Sequence, residues 1–111
     1  MYAVSLTDEN FIKNVSQGNV LVDFYTDRCR ECIQMQPILD AVAAKISDKV
    51  FVAKINVDEN QWASKTFNVQ GIPMFVVFKN GIIQGRAIGP CTEEELIGFI
   101  KSAGGIDGQG D

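Results

Sequence analysis

Six residues, Val20 to Tyr25 (VLVDFY), constrain the fold more than any other stretch of this chain. A strand that alternates apolar and polar residues can lie at a surface, whereas one that is apolar on both faces has to be covered on both. This run therefore predicts a central strand of a sheet sandwiched between helices. One residue interrupts it. The carboxylate of Asp23 is costly in such a place unless it is paired, hydrogen-bonded or protonated. Residues alone leave two readings of Asp23: a partly solvated group at a sheet edge, or a buried carboxyl whose raised pKa suits proton transfer.

The other segments supply the covering layers. Ala3 to Leu6 is a short strand candidate. Thr7 is placed to cap a helix with Asp8 and Glu9 in its first turn and a buried stripe of Phe11, Ile12 and Val15, stopped at Gly18. From Cys29 to about Ile46, the residues Met35, Leu39, Val42 and Ile46 recur at helical spacing, with Pro37 as an internal kink. Val50 to Val57 reads as a strand. Glu59 to Phe67 reads as a short helical or irregular connection that holds the single Trp, Trp62. Met74 to Lys79 and Ile82 to Ile88 flank Asn80-Gly81, a pair suited to the positive φ angles of a two-residue hairpin turn. Thr92 and Glu95 form a capping box for a last helix, with Leu96, Ile97, Phe99, Ile100 and Ala103 inward and Gly104-Gly105 as its stop. The order β-α-β-α-β-α-β-β-α predicts an α/β fold with helices on both faces of a mixed sheet. A length of 111 residues fits a single domain, 1–105, followed by a flexible tail, 106–111.

Charge and composition narrow the chemistry. Ten Lys and Arg against fourteen Asp and Glu give a net charge of −4 without a basic cluster, which argues against nucleic acid as a partner. The chain has no His, which removes Ser-His-Asp and Cys-His catalysis as well as imidazole metal ligands. The N-terminal MYAVSLTDENF lacks the basic and apolar regions of a secretory signal, and no apolar run is long enough to span a membrane. The expectation is a cytoplasmic protein without a membrane partner. In a reducing compartment, a close pair of cysteines is more often redox-active or metal-binding than structural.

Such a pair is Cys29-Arg30-Glu31-Cys32, at the junction between the buried strand and the following helix. Unpaired backbone amides and the positive end of the helix dipole meet there, a place that suits an anion such as a thiolate. Residues three apart at a helix start lie on adjacent turns of one face, close enough for a disulfide to form and break with little backbone movement. Buried structural cysteines, or half of a metal site, are the alternatives. Without His, only Cys91 and carboxylates could complete a tetrahedral zinc site, so the favoured reading has no metal.

These features together resemble the thioredoxin family. VLVDFY followed by TDRCREC is similar to the family's strand and active-site loop. Pro37 falls at its helix kink, Gly71-Ile72-Pro73 looks like the loop before its antiparallel hairpin, and Phe78-Lys79-Asn80-Gly81 and Ile88-Gly89 continue the match. The resemblance runs from Ala3 to about Ala103. It implies a thioredoxin fold, a central mixed sheet of about five strands flanked by about four helices. It also implies a protein-disulfide reductase that carries electrons and maintains redox homeostasis. Cys29 would attack a substrate disulfide and Cys32 would resolve the mixed disulfide. Asp23 would assist deprotonation of Cys32, and Lys54 on the adjacent strand would help set its ionisation. Ile72-Pro73 would be the family's cis-proline, with the Ile72 backbone open to an extended substrate segment alongside Arg28 and Gly89. Residues alone also allow an ordinary trans turn at that position.

The resemblance further implies a monomer that uses no bound cofactor beyond a reversible Cys29-Cys32 disulfide. Its partners would be protein disulfides and a flavoprotein reductase of the thioredoxin-reductase kind. The active site departs from the family's usual Trp-Cys-Gly-Pro-Cys, reading Arg28-Cys29-Arg30-Glu31-Cys32, and Tyr25 stands where a second Trp is common. Arg28 and Arg30 favour negative charge at the sulfur while Glu31 opposes it, so this loop tunes the redox couple. Cys91 is either a packing residue ahead of a capping box or a regulatory thiol near the active-site surface. The competing functions are an oxidant or isomerase of the same fold, and a binding scaffold in which the thiols are incidental.

Overall fold

The fold described here is a computed structural model covering residues 2–106. Its elements follow the expected order: β1 (Val4–Ser5), α1 (Phe11–Val15), β2 (Asn19–Tyr25), α2 (Arg30–Ile46), β3 (Phe51–Asn56), α3 (Gln61–Thr66), β4 (Met74–Lys79), β5 (Ile82–Ile88) and α4 (Glu93–Ser102). They form one five-stranded sheet in the order β1-β3-β2-β4-β5. β1 and β2 both run parallel to β3, while β4 is antiparallel to β2 and β5 to β4. The strand that is apolar on both faces is thus central, with Val20 to Phe24 fully buried.

Alternation along β2 divides the core in two. Leu21, with Val52, Phe75 and Val77 of the neighbouring strands, packs under Met35, Leu39, Val42 and Ala43 of α2 and Leu96 and Ile100 of α4. Val20, Val22 and Phe24 face the other way, toward Phe11 and Val15 of α1 and Ala63 of α3. Phe11 is completely buried and meets Phe67, Phe78, Phe24 and Trp62 at ring-centroid distances of 4.9 to 6.2 Å, so one aromatic cluster ties α1 and α3 to the sheet. Asp23 shares the parity of Leu21, which puts its side chain under α2 and α4.

The structure corrects two expectations about α1. The helix begins at Phe11, not after Thr7, because Thr7 to Asn10 form a turn in which the Thr7 N–H donates to Asn10 Oδ1 at 2.8 Å. The buried face of this short helix runs through Phe11 and Val15, four residues apart, and Ile12, one residue round from Phe11, is 54% exposed. Asp8 does not serve α1. Its carboxylate accepts from the N–H groups of Trp62 (3.2 Å) and Ala63 (2.9 Å), capping α3, while its own N–H donates to Asn60 Oδ1 at 2.8 Å. Asp8→Ala is therefore expected to lower stability by about 1–2 kcal/mol, the usual worth of a helix cap, in urea denaturation. An unchanged midpoint would show that this cap is idle.

The last helix opens as expected. Thr92 Oγ1 accepts from the Glu95 N–H at 3.0 Å, and Glu95 Oε1 accepts from the Thr92 N–H at 2.9 Å. The hairpin turn has positive φ at both Asn80 (51°) and Gly81 (83°). α1 ends at Val15, short of the expected stop at Gly18, and Asn80 anchors the turn to the connection between α1 and β2, its N–H donating to Gly18 O and its Oδ1 accepting from the Gly18 N–H. Ile106 was expected to open the tail but packs into the α2/α4 side of the core at 6% exposure, so the ordered chain continues past Gly105. The remainder of the expected tail, 107–111, lies outside the described residues. Among the described residues, no helix is long and apolar enough to cross a membrane.

Candidate active site

β2 ends at Tyr25, and three residues later the chain enters α2 with Cys29 as its N-cap. Cys29 is extended (φ −102°, ψ 115°), and its Sγ accepts the Cys32 N–H at 3.1 Å, so sulfur fills the place an Asp or Ser oxygen usually takes at a helix start. The two thiols differ sharply in surroundings. Cys29 is half-buried beside solvent, and Cys32 is wholly buried. Burial, followed by the hydrogen bond to Cys29, pushes the Cys32 thiol up to about 12, with the Thr26 backbone N–H pulling the other way. One sulfur is reachable, and the other holds its proton.

Behind Cys32 lies a cavity of about 100 Å³ lined by Tyr25, Thr26, Asp27, Cys32, Ile33, Gln36 and Lys54. Asp23, whose strand neighbour Lys54 lines this cavity, is fully buried, with neither carboxylate oxygen accepting a hydrogen bond from the protein. Burial raises its pKa to about 7 against the lowering pull of Lys54, which favours the buried reading of this residue over the partly solvated one. Lys54 is the register partner of Asp23 on β3; its Nζ donates to Gln36 Oε1 at 2.9 Å and lies 5.7 Å over the Tyr25 ring. The Tyr25 hydroxyl is also pushed up, by burial first and then by Asp27, Asp23 and Glu59.

The Ile72-Pro73 peptide is cis. Register places it at the site: Met74 pairs with Phe24 on one side and with Ile88 on the other, so Pro73 and Gly89 lie at the end of the sheet where β2 turns toward Cys29. The Gly89 N–H donates to Pro73 O at 2.9 Å, joining the two loops, and Gly89 has a φ of +105° that favours glycine. Gly71 makes room for Ile88, since a Cβ there would come within 2.9 Å of Ile88 Cγ2.

A family model described as Thioredoxin matches residues 2–102. The chain belongs to the thioredoxin family. Curated relatives agree: a thioredoxin of Pseudomonas aeruginosa is 35% identical over 103 residues, covering 91% of this chain and 95% of that protein. One of Rhodospirillum rubrum is 34% identical over 100 residues (88% and 96%), and one of Chlamydia pneumoniae 37% over 96 residues (86% and 93%). With Cys29 and Cys32 adjacent, the chain carries the thiol–disulfide oxidoreductase chemistry of the thioredoxins.

The loop around Cys29 departs from the usual thioredoxin sequence in its charged residues, Arg28, Arg30 and Glu31. Arg28 pairs with a carboxylate: its Nε and Nη2 make a two-point contact with Asp58 Oδ2 (3.0 Å) and Oδ1 (2.9 Å), tying the loop to the turn before α3. Arg30 and Glu31 are exposed on the first turn of α2, with Glu31 Oε1 3.9 Å from Cys29 Sγ. Cys91 packs half-buried against the α2/α4 core with its N–H donating to Met35 Sδ at 3.4 Å. Burial, then Glu95 and Asp23, push its thiol up, which suits a packing residue more than a reactive one. The sequence reading overlooked Asp58 and Gln36. Gln36 had a signal, lying four residues after Cys32 on the same helix face, but the partner of Asp58 lies thirty positions away.

Proposed function

We propose that this thioredoxin-family protein reduces protein disulfides by dithiol–disulfide exchange. The Cys29 thiolate attacks one sulfur of a substrate disulfide, forming a mixed disulfide and releasing the other substrate sulfur as a thiolate that takes up a proton. Cys32 then loses its proton to Asp23 and attacks Cys29 Sγ, which frees the second substrate thiol and leaves a Cys29–Cys32 disulfide. The substrate gains two electrons and the protein loses two. Asp23 is the proton acceptor, Lys54 sets the charge around it, and the Ile72 backbone beside Pro73 and Gly89 receives an extended substrate segment. The observation that carries this reading is the contrast between the two sulfurs: a reachable one at a helix N-terminus, and a buried protonated one 3.1 Å from it through its amide, with an unpaired carboxyl behind.

The cycle needs no bound cofactor, only an external reductant, and a flavoprotein of the thioredoxin-reductase kind is the proposed source. A reducing location such as the cytoplasm, and action as a monomer, belong to the same proposal, because an attacking thiol must be kept reduced and open. Reduction of insulin disulfides by dithiothreitol, followed by turbidity with and without the protein, tests the activity. Acceleration that a Cys29→Ser variant lacks is the expected result, and equal rates with and without protein would overturn it. NADPH consumption with a purified thioredoxin reductase tests the partner.

A further inference from the structure

Lys54 and Asp23 are register partners on adjacent parallel strands, so their side chains rise from the same face of the sheet beneath α2. A buried carboxylate with no partner is costly, and an ammonium so close would ordinarily close on it as an ion pair. Here the two do not join. Both Asp23 oxygens lack a hydrogen-bond donor, while the Lys54 Nζ donates to Gln36 Oε1 at 2.9 Å. Gln36 lies one turn beyond Cys32 on α2 and lines the cavity that Cys32 and Lys54 also line. The ammonium determines which way its amide faces: turning the amide over would set an N–H group against Lys54. The orientation leaves Gln36 Nε2 buried without a partner, a cost offset by the charged hydrogen bond at the other end.

We propose that Gln36 is a positioning residue for the exchange reaction: by holding the Lys54 ammonium it keeps Lys54 from closing on Asp23, and so leaves that carboxyl free to take the Cys32 proton. The proposal rests on the disulfide-reductase reading above and assigns the side chain that keeps its proton acceptor available. The groups that face Asp23 are Lys54 from β3, Tyr25 from its own strand, Cys32 from α2 and Cys91 from the turn before α4, while β4 contributes the apolar Phe75. Lys54 is the positive member of that set, so moving it is the change that most affects the carboxyl. The raised pKa of Asp23, with Lys54 as the opposing influence, agrees with an ammonium close by but not in contact.

The test is a carbon-detected NMR titration of the Asp23 carboxyl in the reduced protein. Gln36→Leu removes the acceptor and lets Lys54 swing to Asp23, so the midpoint is expected to fall by about one pH unit, a tenfold change in acid dissociation. Gln36→Glu keeps an acceptor for Lys54, and its midpoint is expected at or above that of the wild type. In a Lys54→Met background, Gln36→Leu is expected to leave the midpoint where Lys54→Met alone puts it. The pH profile of insulin reduction should shift to lower pH in Gln36→Leu and not in Gln36→Glu. An Asp23 midpoint that ignores Gln36→Leu, or that falls equally without Lys54, overturns the proposal. A protein that fails to reduce insulin but whose Asp23 midpoint still follows Gln36 supports the positioning contact while overturning the reductase reading.

Discussion

Cys29→Ser is expected to abolish disulfide reduction, with a loss of at least about a thousandfold against insulin, because removing the nucleophile of a covalent mechanism costs nearly the whole acceleration. The hydroxyl of serine can still accept the Cys32 N–H, so the helix start is retained and the fold should be unaffected. Cys32→Ser is expected to fail differently. The first attack still occurs, but no resolving sulfur lies beneath the mixed disulfide, so substrate should accumulate bound to Cys29. Non-reducing gel electrophoresis after a brief reaction would show the adduct. If Cys29→Ser accumulated the adduct and Cys32→Ser did not, the two sulfurs would have to exchange roles.

The second large effect concerns Asp23. Its carboxyl titrates near 7 in the folded protein against an ordinary 3.8. Between those pH values the folded state keeps a proton that the unfolded chain has lost, so the folded state is progressively destabilised as pH rises through the window, and the full loss is present above 7. A difference of about three pK units, at about 1.36 kcal/mol each, corresponds to ~4 kcal/mol. Asp23→Asn cannot ionise. Relative to the wild type it is expected to gain up to ~4 kcal/mol in stability between pH 4 and pH 8, read from urea denaturation at each pH. The same change removes the proton acceptor for Cys32, so disulfide reduction should slow by about a hundredfold. Stability curves for the two proteins that stay parallel across this range would refute a buried, unpaired carboxyl. A gain in stability without a loss of rate would instead assign the Cys32 proton to another acceptor.

The two effects expected of Asp23→Asn set stability and activity against each other at one residue. A strand buried on both faces gains most from an unbroken apolar run, and Val20 to Phe24 is such a run except at Asp23. The exception falls on the face beneath α2, where Cys32 and the cavity are. A neutral residue at position 23 would make a more stable sheet and a slower redox protein.

Much of this was legible in the chain because the signals are local. The two-sided apolar run specified the central strand, Asn80-Gly81 the hairpin, Thr92 and Glu95 the last helix, and the Cys29-Cys32 spacing the meeting of two thiols at a strand-to-helix junction. Each depends on neighbours within a turn or a pleat, whose geometry the backbone dictates. Other features had no local signal. Asp8 looked like a first-turn acid of α1 and caps α3, more than fifty positions away. Arg28 looked like a charge for the sulfur and is occupied by Asp58. Ile106 looked like the start of a tail and fills the core.

By itself, then, the order of residues determined which segments become strands and helices, which strand is innermost, and where two thiols can meet, since periodicity and turn chemistry act over a few residues. Only the folded arrangement decided that Lys54 gives its ammonium to Gln36, eighteen positions away, while Asp23 stays unpaired. Which of two possible partners a long side chain takes depends on how closely the helix and the two strands approach, a distance set by the packing of the whole core.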